Sequence, residues 1–231
     1  MTGAEERREA LVAVYREASE CTLCPLAQTR TKVVFGAGDA DADLMFIGEA
    51  PGAEEDKRGL PFVGRAGGLL NELLAEIGLD RDSVFIANTL MCRPPGNRDP
   101  QPVELDSCRP YLLEKVRLIE PKVIATLGNF ATKLITGDQA GITKVRGRPQ
   151  THQLGERTVR VFPILHPAAA LRTPRLRETM SEDFASLGRL LAEPAPEQGR
   201  TAAEPPEVPA PEAPEAQPPR AGDDQLDIFA P

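Results

Sequence analysis

At 231 residues the chain has room for one domain of ordinary size and an appendage. Its net charge of −8 argues against a nucleic-acid partner at first sight, but from Glu193 onward nine acids stand against only Arg200 and Arg220. The body is therefore close to neutral and free to carry a local basic face, so charge neither demands nor excludes DNA.

The opening "MTGAEERREALVAVYREASE" is charged and helical in pattern, with a first helix predicted near Glu5 to Ser19. It lacks the basic stub and apolar run of a secretory signal, and no apolar stretch approaches the roughly 20 residues that span a bilayer. A cytoplasmic, membrane-free protein is expected. A loop with "CTLCPL" follows. Four apolar runs then read as buried strands: "DLMFIGE" (Asp43 to Glu49), "SVFIANTL" (Ser83 to Leu90), "KVIATLG" (Lys122 to Gly128) and "VRVFPILHP" (Val159 to Pro167).

Between the first two runs, Leu69, Leu70, Leu73, Leu74 and Ile77 follow the helical i, i+3, i+4 spacing and stop at Gly78. Between the second and third, Pro102 is placed to start a helix reaching Glu120, with Leu105, Tyr111, Leu112 and Val116 inward. A short helix "NFATKLI", a hairpin arm containing His152 and a longer helix "ETMSEDFASLGRLLA" complete the body. Strands alternating with helices imply a parallel sheet covered on both faces. The expected fold is α/β, a three-layer α/β/α sandwich around a central four-stranded, mostly parallel sheet.

From residue 193 the composition changes. Ten of the 23 prolines lie there, among alanines and acids, which predicts a disordered linker over 193–224 that cannot bury enough area to offset chain entropy. It ends on an apolar cluster in 225–231, so residues 1–192 are expected to form the domain.

In a doubly wound sheet the ligand crevice lies outside the carboxyl ends of the strands. The four expected strands end in "GEAPG" (Gly48 to Gly52), in Asn88, in Gly128 and Asn129, and in "HPAAALR" (His166 to Arg172). Polar groups thus converge on one edge. Cys21, Cys24, Cys92 and Cys108 are poor disulfide candidates in a reducing compartment. One Cys-x-x-Cys with two distant partners suits tetrahedral zinc or an iron–sulfur cluster, and spacing does not choose between them.

"GEAPG", "GLPFVGRAG" (Gly59 to Gly67), "ANTLMCRPP" (Ala87 to Pro95), "LGNFA" (Leu127 to Ala131), "HPAA" (His166 to Ala169) and the four cysteines fall in order over Cys21 to Leu191. Together they resemble the family 4 uracil-DNA glycosylases, which carry an iron–sulfur cluster. The resemblance implies hydrolysis of the N-glycosidic bond of deoxyuridine in DNA during base excision repair, by a nucleoid-associated monomer. It also implies a [4Fe-4S] cluster on Cys21, Cys24, Cys92 and Cys108, structural in role and pinning the N-terminal segment against the loop Arg93 to Ser107, away from the scissile bond.

By the same resemblance Phe62 stacks on the flipped base. Asn88 presents a carbonyl and an amide that match the N3–H and O4 edge of uracil and mismatch cytosine. His166 donates a hydrogen bond to uracil O2 as charge develops there. Glu49 is the carboxylate nearest to hand for positioning water or steadying the sugar cation. Ala50 occupies the place of the family 1 water-orienting aspartate, and Gly52 that of the family 1 tyrosine that blocks the thymine methyl. Glu54 or Glu55 then becomes the candidate for thymine exclusion. Gly48, Gly52, Gly64 and Gly128 let backbone approach base or phosphate. Gly128, Asn129, Leu171 as an apolar wedge and Arg172, with Arg175 and Arg177, are expected to face DNA.

Two rival classes are a non-catalytic or covalently trapping uracil-DNA binder and an Fe–S or zinc scaffold module. A trapping relative uses a histidine downstream of the asparagine strand, and "CRPPGNRDPQPVELDSC" contains none. A scaffold has no need of Asn88 and His166 at adjoining strand ends. Finally, "QLDIF" (Gln225, Leu226, Asp227, Ile228 and Phe229) resembles the pentapeptide by which bacterial repair and replication proteins dock on the sliding clamp.

Overall fold

A computed structural model describes residues 3–198. The peptide expected over 225–231 and all of the linker beyond Gln198 lie outside the described residues. In chain order the elements are α1 (Ala4–Ser19), β1 (Ala37–Gly38), β2 (Leu44–Gly48), α2 (Ala53–Arg58), α3 (Arg65–Glu76), β3 (Phe85–Asn88) and α4 (Pro102–Ile119). They continue as β4 (Val123–Leu127), α5 (Asn129–Thr136), α6 (Ile142–Val145), β5 (Gln150–Leu154), β6 (Arg157–Ile164), α7 (Pro167–Arg172) and α8 (Leu176–Leu191).

The sheet has the order β1-β3-β2-β4-β6-β5. Its four inner strands are the four expected from the sequence, and all run parallel. The sheet is nevertheless wider than expected, with β1 and β5 added antiparallel at the two edges. Both additions have weak signatures: β1 is two residues long, and β5 reads QTHQL, with only Leu154 buried. Short and polar edge strands are what an open sheet needs to avoid pairing with other chains.

The inner strands alternate residues between two cores. Met45, Ile47, Ala87, Ile124 and Val161 face a layer made by α1 and α4, which contributes Leu11, Ala18, Tyr111, Leu112 and Val116. Leu44, Phe46, Ile86, Ala125 and Phe162 face the opposite layer, where α3 supplies Leu69, Leu70, Leu73 and Leu74 and α8 supplies Met180, Phe184 and Leu187. Phe46 stacks on Phe184 at 5.9 Å. The i, i+3, i+4 leucines of α3 are thus its buried face, and Gly78, at φ +74°, turns the chain out beyond its end. Among the described residues no helix is long and apolar enough to cross a membrane.

The body runs a little past α8. Arg160 Nη1 donates to the carbonyl of Pro194, and Gln198 exchanges hydrogen bonds of 2.9 and 3.1 Å with the backbone of Thr158.

Candidate active site

Parallel register brings the polar strand ends to one level. Gly48 closes β2 directly opposite Asn88, the last residue of β3. His166 follows β6 by two residues and caps α7. Asn88 and His166 line a pocket of about 350 Å³ with Glu49, Ala50, Gly52, Glu55 and Phe62, and Gly48 lies directly behind Asn88 and Phe62.

Asn88 is 3% exposed, and its side-chain amide takes no hydrogen-bond partner among the described residues. The amide is not enclosed but opens onto the pocket, where a bound group can meet it. Gly48 makes room for it: a Cβ there would lie 2.4 Å from Asn88 Oδ1 and 2.9 Å from the Phe62 ring. His166 Nδ1 accepts a hydrogen bond of 3.1 Å from the Ala168 N–H, which leaves the proton on Nε2. Burial lowers its pKa to about 4, with nearby Arg172 adding to the effect and Glu55 opposing it. At neutral pH His166 is therefore an uncharged N–H donor. Its ring lies 5.7 Å from that of Phe62, with the planes 30° apart.

Phe62 sits on the facing wall in the left-handed region, at φ +50°. For a bulky residue that conformation costs about 1–2 kcal/mol and persists only where neighbours impose it. Three do so. Glu55 accepts hydrogen bonds of 3.0 Å from the Val63 and Gly64 N–H groups, and Arg81 donates to the Pro61 and Phe62 carbonyls at 2.7 and 2.9 Å. At Gly67, in the first turn of α3, a Cβ would fall 1.7 Å from the Phe62 carbonyl oxygen. Glu55 thus lines the pocket while committing one carboxylate oxygen to the loop. Glu54 is exposed and pairs with Lys57 at 3.2 Å, outside the pocket lining.

Glu49 follows Gly48 on the pocket floor, with Ala50 beside it. Burial raises its pKa above the ordinary carboxylate range, and Asp99 adds to the effect. Its backbone is fixed independently of its side chain, because the Glu49 carbonyl accepts from Leu90 N and from the Thr89 hydroxyl.

The loop after Cys92 reaches the pocket, where Pro94, Asn97 and Arg98 complete the lining. Arg98 folds the loop back by pairing with Glu104, whose side chain is fully buried in the first turn of α4 and also accepts from the Gln101 N–H at 2.8 Å. Arg93 Nε donates to Asn97 Oδ1 at 2.7 Å, and Asn97 itself sits at φ +54°. Sequence reasoning missed these residues. The available signal was the Gln-x-x-Glu spacing at the start of α4, which marks a capping box.

The residues expected to face DNA fall into two groups. Leu171 is exposed at 37% on α7, with Arg172 exposed beside it and Arg175 exposed beyond the helix end. Arg177, by contrast, pairs with Glu76 at 2.7 Å and Glu72 at 3.4 Å, so its guanidinium ties α8 to α3. Gly128 stands at the end of β4 behind His166, and Asn129 accepts from the Ile142 N–H at 3.1 Å. His152 bonds Gln150 on β5 and is absent from the pocket lining.

The four cysteines gather in the core layer under α1 and α4, Cys92 and Cys108 buried and Cys21 and Cys24 packed against it. Burial pushes the Cys92 thiol up to about 11; Arg30, whose Nη1 lies 3.5 Å from its sulfur, works against that, while Cys108 and Cys24 add to it. The Cys108 thiol is also raised, chiefly by burial, and senses both Cys24 and Cys21. The quartet is therefore close enough for its members to feel one another's charge. Among the described residues no three His, Cys, Asp or Glu side chains converge on one metal-ion position. A second basic group lies nearby: burial lowers the pKa of Lys115 to about 7, with Cys108 opposing, and its Nζ donates to the Phe35 carbonyl at 2.6 Å and sits 4.3 Å above the Phe35 ring.

An aromatic face, an unsatisfied amide and a neutral imidazole donor around one crevice at the carboxyl edge of a parallel sheet define a site for a flat, polar heterocycle. Residues 35–187 match the model of the uracil DNA glycosylase superfamily, and the chain belongs to that superfamily. It is similar to the type-4 uracil-DNA glycosylase of Sulfurisphaera tokodaii, with 46% identity over 191 residues covering 80% of this chain and 87% of that protein. The type-4 enzymes of Archaeoglobus fulgidus and Thermotoga maritima are 43% and 45% identical, over 81% and 77% of this chain and 96% and 93% of theirs.

Proposed function

We propose that this protein excises uracil from DNA, hydrolysing the N-glycosidic bond of deoxyuridine and leaving an abasic site. The observation that carries the reading is one pocket lined by both the Asn88 amide, which has no hydrogen-bond partner among the described residues, and a neutral His166 donor. A base flipped into the pocket stacks on Phe62 and satisfies Asn88 through its N3–H and O4. His166 Nε2–H then donates to uracil O2. As the bond to C1′ lengthens, negative charge gathers on the base, and a fixed donor aimed at it is worth about 3 kcal/mol. Because His166 is already neutral, it stabilises that charge without first losing a proton. The Glu49 carboxylate positions the water that attacks C1′ and offsets the cationic character of the sugar. Leu171 fills the space the flipped nucleotide leaves, while Arg172 and Arg175 hold backbone phosphates.

Cys21, Cys24, Cys92 and Cys108 would hold a [4Fe-4S] cluster. Buried thiols with raised pKa values need a cationic centre before they ionise, and Arg30 beside Cys92 offsets part of the thiolate charge. One zinc draws four sulfurs to about 2.3 Å from a single point. Four thiols that sense one another's charge suit either centre, and metal analysis of the purified protein separates the two. The cluster supplies a cross-link between the N-terminal segment and the two ends of the 93–107 loop.

The test is release of uracil from a uracil-containing oligonucleotide by purified, yellow-brown protein, with and without EDTA. Equal release in both is expected. Absence of release would overturn the reading, and a colourless protein with one zinc per chain would overturn the cluster. We further propose that it acts as a monomer in the cytoplasm, at the nucleoid. The clamp-like peptide Gln225 to Phe229 would tether it to the replication machinery, since a random coil as long as the stretch between Gln198 and Gln225 would reach about 30 Å. Truncation before Gln225 should abolish binding to the sliding clamp of the same organism and leave excision on short oligonucleotides intact. Equal clamp affinity in both forms would remove that part.

A further inference from the structure

Arg81 belongs to none of the motifs that define the pocket, and it is absent from the pocket lining. It sits in the turn between α3 and β3, where Asp80 Oδ1 accepts from the Asp82 and Ser83 N–H groups and Ser83 Oγ accepts from Asp80 N. That turn is rigid by its own hydrogen bonds, and it aims Arg81 at the loop carrying Phe62. One guanidinium nitrogen donates to the Pro61 carbonyl at 2.7 Å, the other to the Phe62 carbonyl at 2.9 Å and to Asn71 Oδ1 at 3.3 Å. The fork therefore grips two successive carbonyls around the one bulky pocket residue in the left-handed region, and ties both to α3.

Partial burial lowers the Arg81 pKa, so the group gives up water to be there. A planar fork suits this task because two fixed N–H groups meet two carbonyls at once, which a single ammonium cannot reproduce. Gly67 completes the arrangement from the other side, leaving the Phe62 carbonyl the space a Cβ would fill.

We infer that Arg81 is a positioning residue for uracil excision, holding the Phe62 ring at the angle from which it stacks on the flipped base. The inference rests on the assignment of Phe62 as the stacking residue. In the free chain the loop conformation with φ near +50° at Phe62 competes with ordinary extended conformations. Arg81 biases that equilibrium toward the stacking-competent form before DNA arrives.

The test is a double-mutant cycle in the full-length protein, using single-turnover excision from a uracil oligonucleotide together with Kd for the same duplex without uracil. Arg81→Met should slow excision about tenfold, below the roughly hundredfold of a full 1 Å misplacement. Binding to undamaged duplex should not change. Arg81→Lys should fall between wild type and Arg81→Met. In a Phe62→Ala background, Arg81→Met should have no further effect on the rate, because nothing is left to orient. Additive losses would overturn the inference, as would an Arg81→Met rate equal to wild type at a temperature where both are folded. If Arg81→Met lowers thermal stability, the cycle repeated well below its Tm still separates the cases, since a purely structural loss adds to Phe62→Ala. An unimpaired Phe62→Ala single variant would instead overturn the stacking assignment on which the inference rests.

Discussion

One wall of the pocket is made of strand ends, the other of loops. Gly48, Asn88 and His166 stand where parallel strands stop, and their mutual placement follows from sheet register. Phe62, Asn97 and Arg98 belong to irregular segments, two of them at positive φ, and are held by Glu55, Arg81, Arg93 and Glu104. The sheet positions its groups through backbone hydrogen bonds shared by the whole core. The loops rely on a few charged side chains that bond backbone or one another. The strand-end wall should therefore carry the chemistry and tolerate no change. The loop wall should set how well substrate is held.

The largest effect expected from that contrast is at the strand ends. Asn88→Ala and His166→Ala should each lower single-turnover excision by at least about 100-fold, the scale for loss of one contact made in the transition state. Circular dichroism should show both folded. Gly48→Ala should behave like Asn88→Ala, because its methyl would have to displace the Asn88 oxygen or the Phe62 ring. A near-wild-type rate in the His166 variant would mean that the pocket works by some other donor.

On the loop wall the expected effect is smaller and of another kind. Arg98→Met leaves buried Glu104 without its partner and frees the loop that closes the pocket. KM for uracil-DNA should rise several-fold while kcat stays within about twofold, the pattern for loss of binding shared by ground and transition states. A fall in kcat as large as that of His166→Ala would erase the distinction between the walls.

The same contrast explains what could be read from the chain alone. The four inner strands announce themselves because three are short, wholly buried runs and the fourth is buried from Val161 to its end, and their ends deliver Asn88 and His166 to one edge by topology. The leucines of α3 follow its helical period without exception. Edge strand β1 escaped because two residues carry no pattern, and β5 was legible as a hairpin arm but, being polar, not as a member of the sheet. Arg81, Asn97 and Arg98 escaped for a different reason. Their roles depend on tertiary contacts to carbonyls and to a buried carboxylate, and an arginine in a polar turn looks like any solvated arginine. Arg177 shows the converse error: its neighbours suggest a phosphate contact, but two glutamates one turn apart on α3 take it.

Glu49 tests the contrast at its weakest point, since it lies at the junction of the two walls. If its carboxylate positions water, activity requires the ionised form. Burial, with Asp99 adding to it, holds its pKa above the ordinary range, so protonation begins at a higher pH than for a surface glutamate. The rate should accordingly fall as pH drops through that raised pKa, over an interval that begins above the one in which a surface glutamate titrates. His166 shifts the opposite way: its pKa is lowered to about 4, so it stays a neutral donor while Glu49 begins to take up a proton. Glu49→Gln keeps the size of the side chain and removes the titration, so its lower rate should be flat across the same interval. Single-turnover pH profiles of the two proteins check this directly. A wild-type profile as flat as that of Glu49→Gln would assign the carboxylate to holding the loop and leave water to be placed by other groups.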